Sequence, residues 1–205
     1  MPTDHFLYGA GGHGAVVLDA LQALDRPVRL FDGNPALAGT LLLGVEIEFA
    51  DPARFPANGH ITVGDNRTRA MLLRRFSGTV ADWFTIIHPH ASVSKHASLA
   101  GGVFVAAQAV AGPAARIGTA TIINHGVVVD HGCTVGAYCH VGPNATLGGG
   151  VTLNDGVLAG SGAVILPGVV VGSYAVIGSG AVVTRDVAPG ATMVGVPAKS
   201  RLSTR

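Results

Sequence analysis

The chain has 205 residues, with 13 Lys and Arg against 12 Asp and Glu, and a formal net charge of +1 at pH 7. That balance gives no electrostatic footprint for nucleic acid, and the length allows one large domain or two small ones. Charged residues make up only 12% and glycine fills 30 positions, which points to surfaces buried against other subunits. The opening run MPTDHFLYGAGG carries no basic region followed by an apolar one, so the expected location is cytoplasmic.

Residues 5–9 read as a short apolar strand, followed by Gly9-Ala10-Gly11-Gly12-His13-Gly14. A helix comes next, with Val16, Val17, Ala20, Leu21 and Leu24 on one face. A second strand, Val28 to Phe31, ends in Asp32, about 20 residues beyond the glycine run. Glycines between a strand and a helix let the backbone approach a diphosphate, where free N–H groups and the helix dipole favour anions. The segment before the repeats described below is only about 85 residues and has no second glycine-rich turn. This predicts a half-Rossmann α/β domain over 1–87 that holds one nucleotide diphosphate, such as a nucleotide-sugar, with Asp32 near the nucleoside. A third strand, His60 to Val63, ends in Gly64-Asp65-Asn66-Arg67. Gly64, Asp65 and Asn66 thus stand where open α/β sheets place ligands, although an N-cap for the basic helix at 67–76 explains them equally well. Trp83 to Ile87 lead onward through His88-Pro89.

From Val93 to Val183 every sixth residue is aliphatic without a slip in phase, Ala111 and Ala159 being the smallest. Two positions earlier stands a small or β-branched residue, among them Cys133 and Cys139. Gly, Asn or Asp often follows, as at Gly112, Asn124, Asp130, Gly142, Gly148 and Gly160, where turns are expected to need positive φ. This is the hexapeptide pattern of a parallel β-helix, predicted over 88–205. Three strands per coil give about five coils and a prism roughly 25 Å tall. The apolar run Val157–Val183 is long enough to cross a bilayer, but it keeps the six-residue period, so no membrane span is expected. Cys133 and Cys139 sit at small inward corners and read as packed thiols.

Three of the nine histidines, His125, His131 and His140, fall in a short stretch. His131 follows Val129-Asp130 on a turn, where its ring can point outward as a general base or merely as a surface side chain. His125 lies one hexad earlier, on the neighbouring side of the coil, and reads as a solvent residue. Near the end, Gly195-Val196-Pro197-Ala198-Lys199 is expected to cap the prism.

GAGGHG, GDNRTR, the hexads, VDHGCTVGAYCHVG and GVPAK, in that order, resemble the NeuD/PglD/PerB family of sugar acetyltransferases, left-handed β-helix proteins with a Rossmann-like N-terminal domain. The resemblance covers nearly the whole chain. It implies acetyl-CoA as donor, a nucleotide-activated or free sugar as acceptor, no metal, and a homotrimer with sites between subunits. It makes His131 the catalytic base, with Asp130 as one group able to orient it. It makes Gly149, one coil above, an oxyanion donor through its N–H. It sets His140, Gly142, Gly160 and Lys199 along the donor path, with Lys199 and Arg201 near coenzyme A phosphates. It sets His13 near the sugar or its diphosphate. The residue after the catalytic histidine is often acidic in the family, whereas here it is Gly132, so Asp130, Asn124 or a backbone carbonyl must fix the ring. Transfer to the amino group of a 4-amino-4,6-dideoxy sugar is the leading expectation. O-acetylation of a sugar or sialic acid is an alternative. A zinc hydratase of γ-carbonic-anhydrase type and an inactive nucleotide-sugar-binding scaffold are the others.

Overall fold

A computed structural model describes residues 4–201; residues 1–3 and 202–205, the outer ends of the two expected domains, lie outside the described residues. The N-terminal unit contains β1 (His5–Tyr8), α1 (Gly12–Gln22), β2 (Arg29–Asp32), β3 (Leu41–Leu42), β4 (Val45–Phe49), β5 (Asn58–Ile61), α2 (Asn66–Phe76) and β6 (Asp82–Trp83). They form one sheet in the order β3-β4-β2-β1-β5-β6, parallel except for the β3–β4 hairpin. The sequence pattern did not mark that hairpin. The third strand stops at Ile61, earlier than expected, while Thr62 still donates its N–H to Tyr8 O and its hydroxyl to Gly9 O.

Alternation along β1 sorts the two apolar layers. Leu7 packs with Val17, Leu18 and Leu21 of α1, whereas Phe6 packs with Phe31, Leu72 and Phe76 on the α2 side. The α1 layer also contains Ile86, Phe104 and Ile122, which belong to the second unit. Helix α1 therefore fills the space between the sheet and the prism. Each of those three buried side chains contributes about 1.5–3 kcal/mol to the docking.

The second unit is a left-handed parallel β-helix of three faces. Its first face stacks strands at Ile86–Ile87, Phe104–Val105, Ile122–Ile123, His140–Val141, Leu158–Ala159, Val176–Ile177 and Thr192–Val194, and Lys199–Ser200 closes it antiparallel. The second face runs from Ser92–Val93 to Val182–Val183 and the third from Ser98–Leu99 to Val170–Val171. Each residue pairs with the one 18 positions on, as Phe104 does with Ile122. Ile86–Ile87 already pairs with Phe104–Val105, so the prism starts before residue 88. The last coil is shorter, with Val176 opposite Thr192. The run Val157–Val183 forms these strands, and among the described residues no helix is long and apolar enough to cross a membrane.

The turns correct one expectation. Positive φ does not fall on the residue after each aliphatic. It falls two further on, at Gln108, Ala114, Tyr138, Asn144 and Tyr174 as well as at glycines such as Gly132 and Gly150. The glycine after the aliphatic is needed for another reason. A Cβ on Gly142 would come within 2.8 Å of Ala159 O, and one on Gly160 within 2.6 Å of Ser179 N, so successive coils could not approach. Both inward cysteines are free, buried thiols. Burial pushes the Cys139 thiol up to about 12.

Candidate active site

One outward column on the first face explains the site. Ile86, Phe104 and Ile122 are buried under the N-terminal unit, and the next residue up the column is His140. Above it, Leu158 and Val176 wall a cleft of about 420 Å³ that Gly64, Asp65, Asn66, Arg67, Gly156 and Tyr174 complete. The prism face thus changes from a docking surface to a site at His140.

The glycine turn opens beside it. Gly9 has φ +116°, and a Cβ on Gly14 would collide with Gly9 O, so both are required by the backbone. Gly11 and Gly12 face open space within 4 Å, and the first helical bond runs from Ala15 N to Gly11 O. Free N–H groups of the first turn and room above them suit an anion. Asp32 braces the turn by accepting from Ala10 N (2.8 Å) and Asn34 N (2.8 Å). One carboxylate oxygen thus ties the glycine turn and the other the loop that follows β2. His13 stacks edgewise on Phe104 and lies 6.1 Å from the His140 ring. Its Nε2 is buried without a hydrogen-bond partner. Burial, with His140 nearby, pushes its pKa down to about 3, so the ring is neutral.

His140 Nδ1 donates to Gly64 O (3.2 Å) and Nε2 accepts from Asn124 Nδ2 (3.1 Å), while Asn124 Oδ1 accepts from His125 N. Burial lowers its pKa, consistent with this neutral tautomer. With both nitrogens engaged, the ring has no N–H left for a thioester carbonyl. It acts as a wall that links Asn124 to Gly64. Asp65 is the N-cap of α2, accepting from Thr68 N (2.8 Å), and that bond holds its carboxyl below the usual range. Asn66 lines the cleft and donates to Gly156 O and Val157 O of the prism. Sequence reasoning missed Arg69, which is 1% exposed and forms the rivet of this corner. Its guanidinium donates to Ala120 O, Val63 O, Gly64 O, Asn66 Oδ1, Tyr138 O and Cys139 O. Burial lowers its pKa to about 10, which leaves it charged at neutral pH. The Asn66–Arg69 spacing of i, i+3 on one helix face was the signal available.

His131 lies elsewhere. It sits at the turn between Val128–Val129 of the second face and Thr134–Val135 of the third, which is the edge opposite the first face. It is exposed, and its ring stands over Gly149, where a Cβ would come within 2.6 Å of Cε1 and Nε2. The Gly149 N–H makes no hydrogen bond within the described chain. Asp130 accepts from the His131 backbone N–H (2.6 Å) and so fixes the turn, not the ring. Gly132 has φ +67°, which gives a backbone reason for glycine where an acid was expected. His125 is exposed at the edge between the first and second faces. Gly142 and Gly160 stack at that same edge with their N–H groups bonded to Ala159 O and Ile177 O. Lys199 is exposed in the closing strand pair, and Arg201 N donates to Thr192 O. His125, His131 and His140 therefore occupy separate sides of the prism. Among the described residues no three His, Cys, Asp or Glu side chains group as a metal site.

The fold and the site define a hexapeptide-repeat transferase. Residues 5–76 match the family described as PglD N-terminal domain, and residues 114–149 and 150–185 match Bacterial transferase hexapeptide (six repeats). Among solved structures, the chain is similar to a mutant of perosamine N-acetyltransferase from Caulobacter crescentus in complex with CoA and GDP-perosamine. The identity is 36%, coverage is 96% of each chain and the TM-score is 0.91. It is also similar to the acetyltransferase domain of PglB from Neisseria gonorrhoeae in complex with acetyl coenzyme A. Here identity is 30%, coverage is 96% of this chain and 98% of that one, and the TM-score is 0.88. WeeI from Acinetobacter baumannii, 20% identical over 96% of this chain and 99% of that one with a TM-score of 0.56, shares the fold. No curated relative matches the sequence. The chain belongs to the PglD/NeuD/PerB family of CoA-dependent sugar N-acetyltransferases. That membership, and not an empty metal site, sets it apart from the zinc hydratases.

Proposed function

We propose that the chain transfers the acetyl group of acetyl-CoA to the amino group of a nucleotide-linked 4-amino-4,6-dideoxy sugar, in the cytoplasm and in the service of glycan synthesis. The observation that carries this reading is that His13 of the glycine turn lies 6.1 Å from the ring of His140, which lines the cleft. The diphosphate sits on the free N–H groups of Gly11 and Gly12, with Asp32 holding the turn. The sugar extends toward Gly64 and His140, and the orphaned Nε2 of His13 takes a polar group of the acceptor.

The base comes from another copy. His131 stands on the edge opposite the cleft, so a homotrimer brings one subunit's His131 to the next subunit's sugar. The sugar amine attacks the thioester carbon, His131 takes the extra proton from nitrogen, and the free N–H of Gly149 stabilises the oxyanion; the C–S bond then breaks as the carbonyl re-forms, and the coenzyme A thiolate leaves with the proton that His131 holds. Proximity of the ring to Gly149 places base and oxyanion donor side by side. The donor arm lies between prisms, past Gly142 and Gly160 toward Lys199 and Arg201. Free buried thiols suit a reducing compartment.

The test is thiol release from acetyl-CoA with GDP-, UDP- and dTDP-linked 4-amino-4,6-dideoxyhexoses, with the product's amide identified by mass and NMR. Amide formation with at least one acceptor is expected. Acetylation of a sugar hydroxyl alone, or of free sugars in preference to nucleotide-linked ones, contradicts the reading.

A further inference from the structure

We propose that Arg67 binds the diphosphate of the acceptor and that Tyr174 holds it in position, an inference that rests on the nucleotide-sugar reading above. Tyr174 occupies a turn position with φ +56°, a backbone state that disfavours bulky side chains and that glycine takes one coil below at Gly156. Its ring covers the space that a Cβ on Gly156 would fill. The Arg67 guanidinium lies 4.7 Å from the centre of that ring. Both side chains line the cleft with Gly64 and His140.

Unlike Arg69 two residues on, Arg67 bonds no carbonyl or side chain, a property it shares with Arg74 and Arg75 farther along α2. Arg29 and Arg54 share Glu48, and Arg69 is bonded to carbonyls and Asn66. Arg67 makes no side-chain hydrogen bond or ion pair with any described residue, so its N–H fork is open. A guanidinium held by an aromatic ring at a cleft wall is suited to a bidentate anion. Coenzyme A and the acceptor both carry a diphosphate. Arg67 stands in the first turn of α2, at the sheet end that also carries the glycine turn, and Gly64 between them approaches His13. That placement favours the acceptor. A plain docking role for the arginine–tyrosine pair has an internal control, because Arg74 of the same helix lies 6.0 Å over Tyr138 but outside the cleft lining.

The experiment is calorimetric titration of GDP, UDP and dTDP, each against its monophosphate, together with steady-state kinetics for acceptor and acetyl-CoA. Arg67→Ala is expected to weaken the diphosphate and raise acceptor KM by about 10–100-fold, leaving the monophosphate and acetyl-CoA KM within about twofold. Tyr174→Gly suits the backbone and is expected to raise acceptor KM by roughly threefold to tenfold through loss of the ring, whereas Arg74→Ala leaves it unchanged. An unchanged diphosphate affinity in Arg67→Ala overturns the proposal, as does a loss confined to acetyl-CoA, an equal effect of Arg74→Ala, or failure of all three diphosphates to bind the wild type. Absence of acetyl transfer with intact diphosphate binding counts against the function above and leaves the Arg67 assignment standing.

Discussion

The cleft on the first face and the edge that carries His131 are built on opposite principles. Around the cleft, His13 and His140 are neutral, Arg69 is fully bonded, and among the described residues His13 Nε2 is the one buried polar side-chain atom without a partner. At the edge, the His131 ring is exposed and stands over Gly149. In the proposed reading the cleft serves as a finished binding surface and the edge as half of a catalytic one. In the proposed trimer, a preorganised seat on one copy and an exposed base on another would separate acceptor recognition from proton transfer.

The sharpest test of that division is His131→Ala. It is expected to lower kcat by about 10²–10⁴-fold with little change in either KM. An active variant with an unaltered pH profile removes His131 from the mechanism.

The cleft side is tested through acid stability. His60 is buried, donates Nδ1–H to Phe84 O, and has its pKa pushed down to about 4 by burial. Above about pH 6.5 the folded and unfolded chains both carry it neutral, and its contribution is fully present. As pH falls toward 4 the unfolded chain binds a proton that the folded one refuses. Stability therefore drops by up to about 1.4 kcal/mol per pH unit. Thermal melts from pH 8 to 4 should show the fall and a shallower slope in His60→Gln. Equal slopes contradict the assignment.

Gly149→Ala separates ring geometry from the N–H donor. The backbone N–H remains, but the new methyl meets the His131 ring, and a loss of about 10–100-fold in kcat is expected. Retained activity would show that the ring does not work where it now rests. The smallest effect belongs to Asp130→Asn, because asparagine also accepts from the His131 backbone N–H. The rate should stay within about threefold with the same apparent pKa. A large loss would return Asp130 to the role of ring partner.

The prism was legible because its contacts repeat. The phase read from Val93 to Val183 extends back to Ile87, whose strand pairs with Phe104–Val105. The turn chemistry was misread because glycine serves two needs in each hexad. Close approach places it after the aliphatic, and positive φ two residues later, where Gln108, Ala114 and Tyr138 hide the pattern. The glycine turn and the cap at Asp65 are local, so their signals are intact in sequence. Asn66 and Arg69 are not local. Their acceptors are carbonyls of Ala120, Tyr138 and Gly156, which any residue supplies and no side chain advertises. The pairing of His13 with His140 is likewise a product of docking. A large residue at a turn position otherwise rich in glycine is the one sequence mark that could have found Tyr174.

In the proposed trimer, acceptor seat and base belong to different copies. Two variants separate them. Gly11→Val fills open space above the glycine turn without backbone strain, and His131→Ala removes the base. Each alone should be nearly inactive at limiting acceptor. Co-refolded or co-expressed in equal amounts, they should assemble at random so that about a quarter of all sites pair an intact seat with an intact base, and activity should recover to about that fraction of wild type. Activity no greater than the sum of the two parents would place seat and base in the same copy and contradict the account.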